Sequence, residues 1–290
     1  MTDVAVDVET PPVADLGLPG YEVVDHLFRK DAVDIFEVWS DERRCRCVAK
    51  ALRPDQIDNA RARERLVREG RLLQALDHPH LVRGYETLTS PRPVVILETL
   101  TGETLDHLIH RRRGRRLPSV ELAFLGVHLA SAVHYLHGKG YLHRDLKPSN
   151  VVVQQARAKV LDLSIAAAPG PARPGTGTRG YLSPEQARGD VLAAATDVWG
   201  IGATLFAAAT GRAPFQDPYA KDDARYPQLE QPPPSIRKHR RLPGVLAEAI
   251  DACLQPDPAH RPQVADLHAA LDAFAMATVA APVAAPADVG

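Results

Sequence analysis

The run His143-Arg144-Asp145-Leu146-Lys147-Pro148-Ser149-Asn150, with Asp162 twelve residues beyond the asparagine, gathers side chains of complementary chemistry. Asp145 can accept a proton. Lys147 lies two residues on, where an extended loop points it to the same side, and its ammonium suits an anionic group. Asn150 and Asp162 offer hard oxygen donors of the kind Mg²⁺ prefers. Taken singly these are ordinary charged loop residues. Together they are the residue types that handling a proton, an anion and a divalent cation would need.

The rest of the chain is built to position such a set. At 290 residues it is long enough for one large domain or two joined lobes, and 45% hydrophobic residues supply a core. A net charge of −1 gives no argument for nucleic acid as a partner. No run approaches the roughly 18 uncharged apolar residues of a membrane helix. The acidic start Met1-Thr2-Asp3-Val4-Ala5-Val6-Asp7 lacks the basic-then-apolar order of a secretory signal. Cys45, Cys47 and Cys253 make neither a disulfide framework nor a four-ligand zinc site, although Cys45 and Cys47 would share one strand face near the limit for bridging. A reducing cytoplasm is the expected location.

Residues 1–19 show no sustained period and read as a flexible tail. Strand patterns follow at 21–27, 35–39 and 45–50, then a charged helix over about 55–76 that ends at His78-Pro79, then strands at 81–85 and 93–97. After Glu98 the pattern turns helical: Val120, Leu125, Leu129, Val133 and Leu136 keep helix spacing and lead into the polar run. Val151-Val152-Val153 and Lys159-Val160-Leu161 read as a hairpin, with apolar helices at 196–210 and 246–254. Residues 277–290 are Ala, Pro and Val without period, so the expected layout is a domain over 20–275 with a second tail at 276–290.

His143 to Asn150 resembles the catalytic loop H-R-D-L-K-x-x-N of the protein kinases, and Gly177-Thr178-Arg179-Gly180-Tyr181-Leu182-Ser183-Pro184-Glu185-Gln186 resembles the activation-segment end of the bacterial, Hanks-type serine/threonine kinases. The resemblance implies a two-lobed α+β kinase fold: a small β-rich N-lobe with one helix (20–98) and a larger, mainly helical C-lobe (99–275). It implies ATP and Mg²⁺ as cofactors and a protein acceptor, whose identity and oligomeric partners no motif encodes. Asp145 would orient the acceptor hydroxyl and take its proton, Lys147 would face the transferring phosphate, and Asn150 and Asp162 would bind the metal. Lys50 would grip the α- and β-phosphates with Glu69 as its helix partner. Leu27, Ile35, Val48 and Val152 would line the nucleotide site, and the backbone of Glu98 and Leu100 would read the adenine edge from the hinge.

The chain also departs from the pattern. Phe28, Lys30 and Val33 stand where the three glycines of the phosphate loop belong, and Val48 replaces a small alanine above the adenine. Losing two or three backbone bonds to phosphate weakens binding about 5- to 150-fold. The metal-binding D-F-G becomes Asp162-Leu163-Ser164, with Leu163 able to fill the Phe position against Leu73 and His143. Thr178 with Lys147 marks serine/threonine acceptors, and Thr176 is the candidate phosphosite. Glu185 with Arg261, and Asp197 behind the catalytic loop, are expected as structural props. The basic run at 111–116 and Pro232-Pro233-Pro234 read as surface loops. The expected activity is ATP-dependent phosphorylation of protein Ser/Thr. The alternatives are a pseudokinase acting as a binding or scaffold module with weak or no phosphotransfer, and a phosphotransferase for small molecules.

Overall fold

A computed structural model describes residues 16–112, 116–215 and 225–280. Residues 1–15 and 281–290 of the expected tails, and the middle of the basic run at 111–116, lie outside the described residues. Two compact units emerge, one from the residues up to Asp77 with Arg83–Thr99, the other from His78–Val82 with everything from Leu100 on.

In the first unit, β1 (Tyr21–Lys30), β2 (Val33–Ser40), β3 (Cys45–Leu52), β4 (Gly84–Leu88) and β5 (Val94–Glu98) form an antiparallel sheet in the order β1-β2-β3-β5-β4. Period-2 alternation along β2 and β3 sends Phe36, Val38, Cys47, Ala49 and Ala51 to one face, where they bury with Val94 and Ile96. Leu16 and Leu18 complete that cluster. The expected tail at 1–19 is therefore too long, because two leucines close a core face that the strands leave open. On the other face α1 (Ala60–Ala75) lays Leu66 against Leu52 and Val95. The charged stretch from 55 does not run as one helix: a 3₁₀ turn at Pro54–Gln56 comes first, and Asn59 then caps α1 by accepting from Ala62 N at 3.2 Å.

The expected strand at 81–85 also moves, and β4 begins at Gly84. His78–Val82 is taken by the second unit, since Val82 N donates to Val160 O (3.0 Å) and Val160 N to His80 O (2.9 Å). These bonds commit His80 and Val82 to the second unit, and contact with the first sheet resumes at Arg83, whose O accepts from Glu98 N at 3.0 Å.

The second unit is centred on α3 (Ser119–Gly138), packed by α5 (Ala194–Thr210) and α8 (Val264–Ala280). A Cβ on Gly126 of α3 would stand 2.5 Å from Leu271 and 3.2 Å from Leu205, so this glycine sets how closely the three helices meet. α3 is long and apolar enough to cross a membrane by length and composition alone, which corrects the expectation that no run approaches that length. Half of its apolar stretch is buried within the chain, which accounts for its composition locally. α8 runs through Ala280, so the expected domain end at 275 lies inside a helix. Ahead of α3 lie the short strand β6 (Glu103–Thr104) and α2 (Leu105–Arg111), and β6 joins the hairpin of β7 (Val151–Gln154) and β8 (Arg157–Val160).

His78–Val82 brings a histidine cluster into this unit. His80 stacks on His128 with ring centroids 4.1 Å apart, and His78 stacks on Tyr135 at 5.0 Å. Ala158 N donates to His128 Nδ1 at 3.3 Å, which fixes a neutral ring. Burial, followed by the neighbouring His80, Arg157 and His268, holds the His128 pKa down to about 4, and burial also lowers His80. The unfolded chain takes up these protons near pH 6.5 while the folded one resists. The contribution to stability is thus complete above pH 6.5 and declines as pH falls toward 4. The melting temperature is expected to be flat above pH 6.5, to drop below it, and to drop less in His128→Gln; a melting temperature equally acid-sensitive in both proteins would contradict the assignment.

Candidate active site

Lys50 comes from the middle of β3 and Glu69 from the sheet-facing side of α1. Their side chains meet as a two-pronged ion pair, Lys50 Nζ lying 2.9 and 2.8 Å from the two Glu69 oxygens. Only 13% of the Lys50 side chain and 2% of that of Glu69 are exposed. An ammonium so buried needs a carboxylate to stay charged, and the pair fixes where that charge points. The flanking basic residues of α1 do not compete, because Glu69 falls on the buried stripe with Leu66, Gly70 and Leu73.

On the same sheet face, directly paired residues place Ile35 beside Lys50, with Val48 two residues back along β3 and Leu97 opposite Val48. All are half-buried, forming an apolar strip next to the Lys50 ammonium. Leu27 stands apart as the extra residue of a bulge between His26 and Phe28, 46% exposed.

In the second unit, the chain leaving α3 folds as the loop His143 to Asn150. Its geometry is imposed by Asp197, 1% exposed on α5, whose carboxylate accepts from His143 N and Arg144 N, each at 2.8 Å, and lies 2.9 Å from His137 Nε2. Gly200, one turn on, lets Leu146 approach α5, since a Cβ there would stand 2.9 Å from that side chain. Arg144 takes φ +69°, a conformation uncommon for a non-glycine residue, and these bonds hold it there. His143 is structural: Asp145 N donates to its Nδ1 at 3.2 Å, so its Nε2 carries the proton directed to Leu161 O at 3.0 Å.

The result is a carboxylate surrounded by donors. Lys147 Nζ lies 2.8 Å from Asp145 Oδ2, Asn150 Nδ2 donates to the Asp145 carbonyl at 2.9 Å and to Oδ2 at 3.1 Å, and Thr178 Oγ1 donates to Oδ1 at 2.7 Å. Lys147 Nζ also donates to Thr178 Oγ1. Thr178, read from sequence only as a mark of acceptor type, is thus in direct contact with both Asp145 and Lys147.

Asn150 and Asp162 are placed by the β7–β8 hairpin, Leu161 N donating to Asn150 O at 2.8 Å. With its Nδ2 committed to Asp145, Asn150 leaves Oδ1 as an acceptor that takes no hydrogen bond among the described residues. Asp162 stands at φ +61° with its Oδ1 capping Ser164 N at 3.3 Å. One amide oxygen and one carboxylate are the donor types that Mg²⁺ selects, so these residues fit the metal chemically. Val152 is 7% exposed on β7, and Leu100 N and O make no hydrogen bond among the described residues. Glu98 uses its own N on Arg83 O at 3.0 Å, and its side chain accepts from Arg83 N at 2.8 Å.

The activation segment ends in α4 (Pro184–Arg188), opened by a capping box between Ser183 and Gln186. Gln186 has a further role that its place in the motif does not announce. Its Nε2 donates to Arg144 O (2.7 Å) and Thr176 O (3.0 Å), tying this segment to the catalytic-type loop. Glu185 meets Arg261 through two bonds of 2.6 and 2.9 Å and also accepts from Thr196 Oγ1 at 3.0 Å. Burial would raise the Glu185 pKa, but Arg261 outweighs it and leaves the carboxyl below its ordinary value.

The model of the protein kinase domain matches residues 31–271. The chain belongs to the protein kinase domain family. That match begins at Asp31, after the whole of β1, so Phe28 and Lys30 lie outside the matched region while Val33, on β2, lies inside it. Among curated proteins, the serine/threonine-protein kinase PknB of Mycobacterium tuberculosis is 33% identical over 229 residues, covering 74% of this chain and 36% of the relative. The probable serine/threonine-protein kinase SCO3848 of Streptomyces coelicolor is 31% identical over 264 residues, covering 85% of this chain and 38% of the relative. Serine/threonine-protein kinase pkn3 of Myxococcus xanthus is 32% identical over 241 residues, 76% of this chain and 43% of the relative. The kinase domain described here therefore spans less than half the length of these relatives.

Proposed function

We infer that this kinase domain transfers the γ-phosphate of ATP to serine or threonine hydroxyls of proteins, with Mg²⁺ as the metal. The observation that carries this reading is the Asp145 carboxylate, bonded at 2.7–3.1 Å by Thr178, Lys147 and Asn150. In this reading Asp145 receives the acceptor hydroxyl as it now receives that of Thr178, and takes its proton. Lys147 stabilises charge on the transferring group. Asn150 Oδ1 and the Asp162 carboxylate would hold Mg²⁺, which when bound neutralises phosphate charge. Lys50, kept charged by Glu69, would grip the α- and β-phosphates. A hydroxyl at the Asp145 oxygen is the nucleophile that such transfer needs, and the relatives carry serine/threonine specificity in their names.

A silent binding module would be expected to have lost one of the groups that the chemistry needs, and the charged Lys50, Asp145 and Asp162 and the amide of Asn150 are all present. The cytoplasm, where ATP is abundant and thiols stay reduced, is the location that suits the reading.

A ligand that binds only the folded state raises stability by RT ln(1 + [L]/Kd), about 2.7 kcal/mol at a hundredfold excess over Kd. Millimolar ATP is expected to raise the melting temperature in a Mg²⁺-dependent way, and Asp162→Asn to remove the Mg²⁺ dependence. A melting temperature indifferent to Mg-ATP would contradict the reading.

A further inference from the structure

The β1–β2 hairpin is paired up to its tip. Ladder pairing continues through Phe28–Ile35, Arg29–Asp34 and Lys30–Val33, leaving only Asp31 and Ala32 as the turn. On its other side β2 pairs with β3 from Val33–Leu52 onward, so the returning strand has its backbone committed to the sheet. The closure is stapled by a buried carboxylate. Asp34 accepts from Arg29 Nε at 2.7 Å and Arg29 Nη2 at 3.1 Å, and lies 3.2 Å from His26 Nε2. Burial would raise the Asp34 pKa, and Arg29 and His26 outweigh it, leaving it lowered. The Arg29 charge is thereby engaged. At the tip stands Asp31, held at φ +51°, whose carboxylate is a poor neighbour for a triphosphate.

The same hairpin presents an aromatic ring. Three large apolar residues of β1 are exposed: Val24, Leu27 and Phe28, the last at 53%. Val24 and Leu27 are the extra residues of the two bulges. Phe28 alone is in register with the ligand side of the sheet, paired with Ile35, which is paired with Lys50. It therefore extends the apolar strip of Ile35, Val48 and Leu97 at the position where the family pattern has its first glycine.

Resting on the reading that ATP is held beside Lys50, we propose that Phe28 is a nucleoside-binding residue. Its ring covers the purine nucleoside lying on Ile35 and Val48, and the stapled hairpin contributes little to the triphosphate. Nucleotide affinity then resides mainly in the nucleoside and less in its phosphates. Burying half a phenylalanine ring accounts for about tenfold in affinity.

Calorimetric titration of the full chain with adenosine, ADP and ATP in Mg²⁺ tests this. Adenosine and ATP are expected to bind within about fivefold of each other. Phe28→Gly should weaken all three about tenfold, Phe28→Leu should recover most of that loss, and Lys30→Ala should leave the ATP-to-adenosine ratio unchanged. Thermal melts of the variants verify folding, which the exposure of Phe28 favours. ATP binding a hundredfold tighter than adenosine, or unaltered adenosine binding by Phe28→Gly, overturns the inference while leaving the kinase reading in place. No binding by any of the three overturns both.

Discussion

Arg261→Ala is expected to destabilise the helical unit by about 3–5 kcal/mol, the cost of leaving a buried carboxylate without its partner. Its side chain is fully buried, and its guanidinium makes two bonds to Glu185 and one each to the carbonyls of Ala195 and Pro256 through Nη1 and Nη2. It also stacks 5.0 Å above the Trp199 ring, itself stacked on Phe215. Removing it strands Glu185, the three carbonyls that it satisfies (Nε reaches Gln255 O) and one face of Trp199 together. For a unit of this size the melting temperature should fall by roughly 6–20 °C, followed by circular dichroism. The Glu185 contribution in the wild type should be complete above its ordinary pKa and be lost only as pH falls through its lowered folded value. A melting temperature within about 2 °C of wild type would mean that the pair is no more than a surface-like contact.

Asp145→Asn is expected to lower kcat by about 10²- to 10⁴-fold, the range for losing a positioned general base, with little change in fold. The substitution keeps the shape of the side chain and removes its charge. It also turns one acceptor oxygen into a donor facing either Lys147 and Asn150 or Thr178, all of which donate to Asp145. The Lys147 ammonium should then shift toward Thr178, its other partner. Nucleotide affinity should stay within a few-fold, because Lys50 and Glu69 are untouched. Steady-state kinetics with a protein acceptor provide the check, and a kcat within tenfold of wild type would remove Asp145 from the chemistry.

These two sites differ in how far the sequence revealed them. The loop from His143 to Asn150 is contiguous, so its side chains announce their spacing directly. Lys50 with Glu69 and Glu185 with Arg261 were legible only through motif resemblance, because partners 19 and 76 residues apart leave no periodic signal. Gln186 and Thr178 carry contacts with Arg144, Asp145 and Lys147 that depend on how the activation segment folds back, which no local propensity encodes. Leu16 and Leu18 escaped because two apolar residues in an acidic, proline-rich stretch make no pattern until a sheet face needs covering. The helix expected from 55 contained its own correction, Asn59 being a strong N-cap inside the charged run. At the phosphate loop, the missing glycines marked a departure from the family pattern without showing its form. The staple of Arg29 and His26 on Asp34 became visible only once the register was known, since bulges at Val24 and Leu27 shift which side chains share a face.

The most direct test is transfer itself: the purified chain incubated with Mg²⁺ and ATP labelled in the γ-phosphate, with a generic basic protein as acceptor and Asp145→Asn as the blank. Label on serine and threonine of the acceptor, absent with Asp145→Asn, is the predicted result. Mg-ATP binding in the same preparation without label above that blank would contradict the assignment and make the domain a nucleotide-binding module.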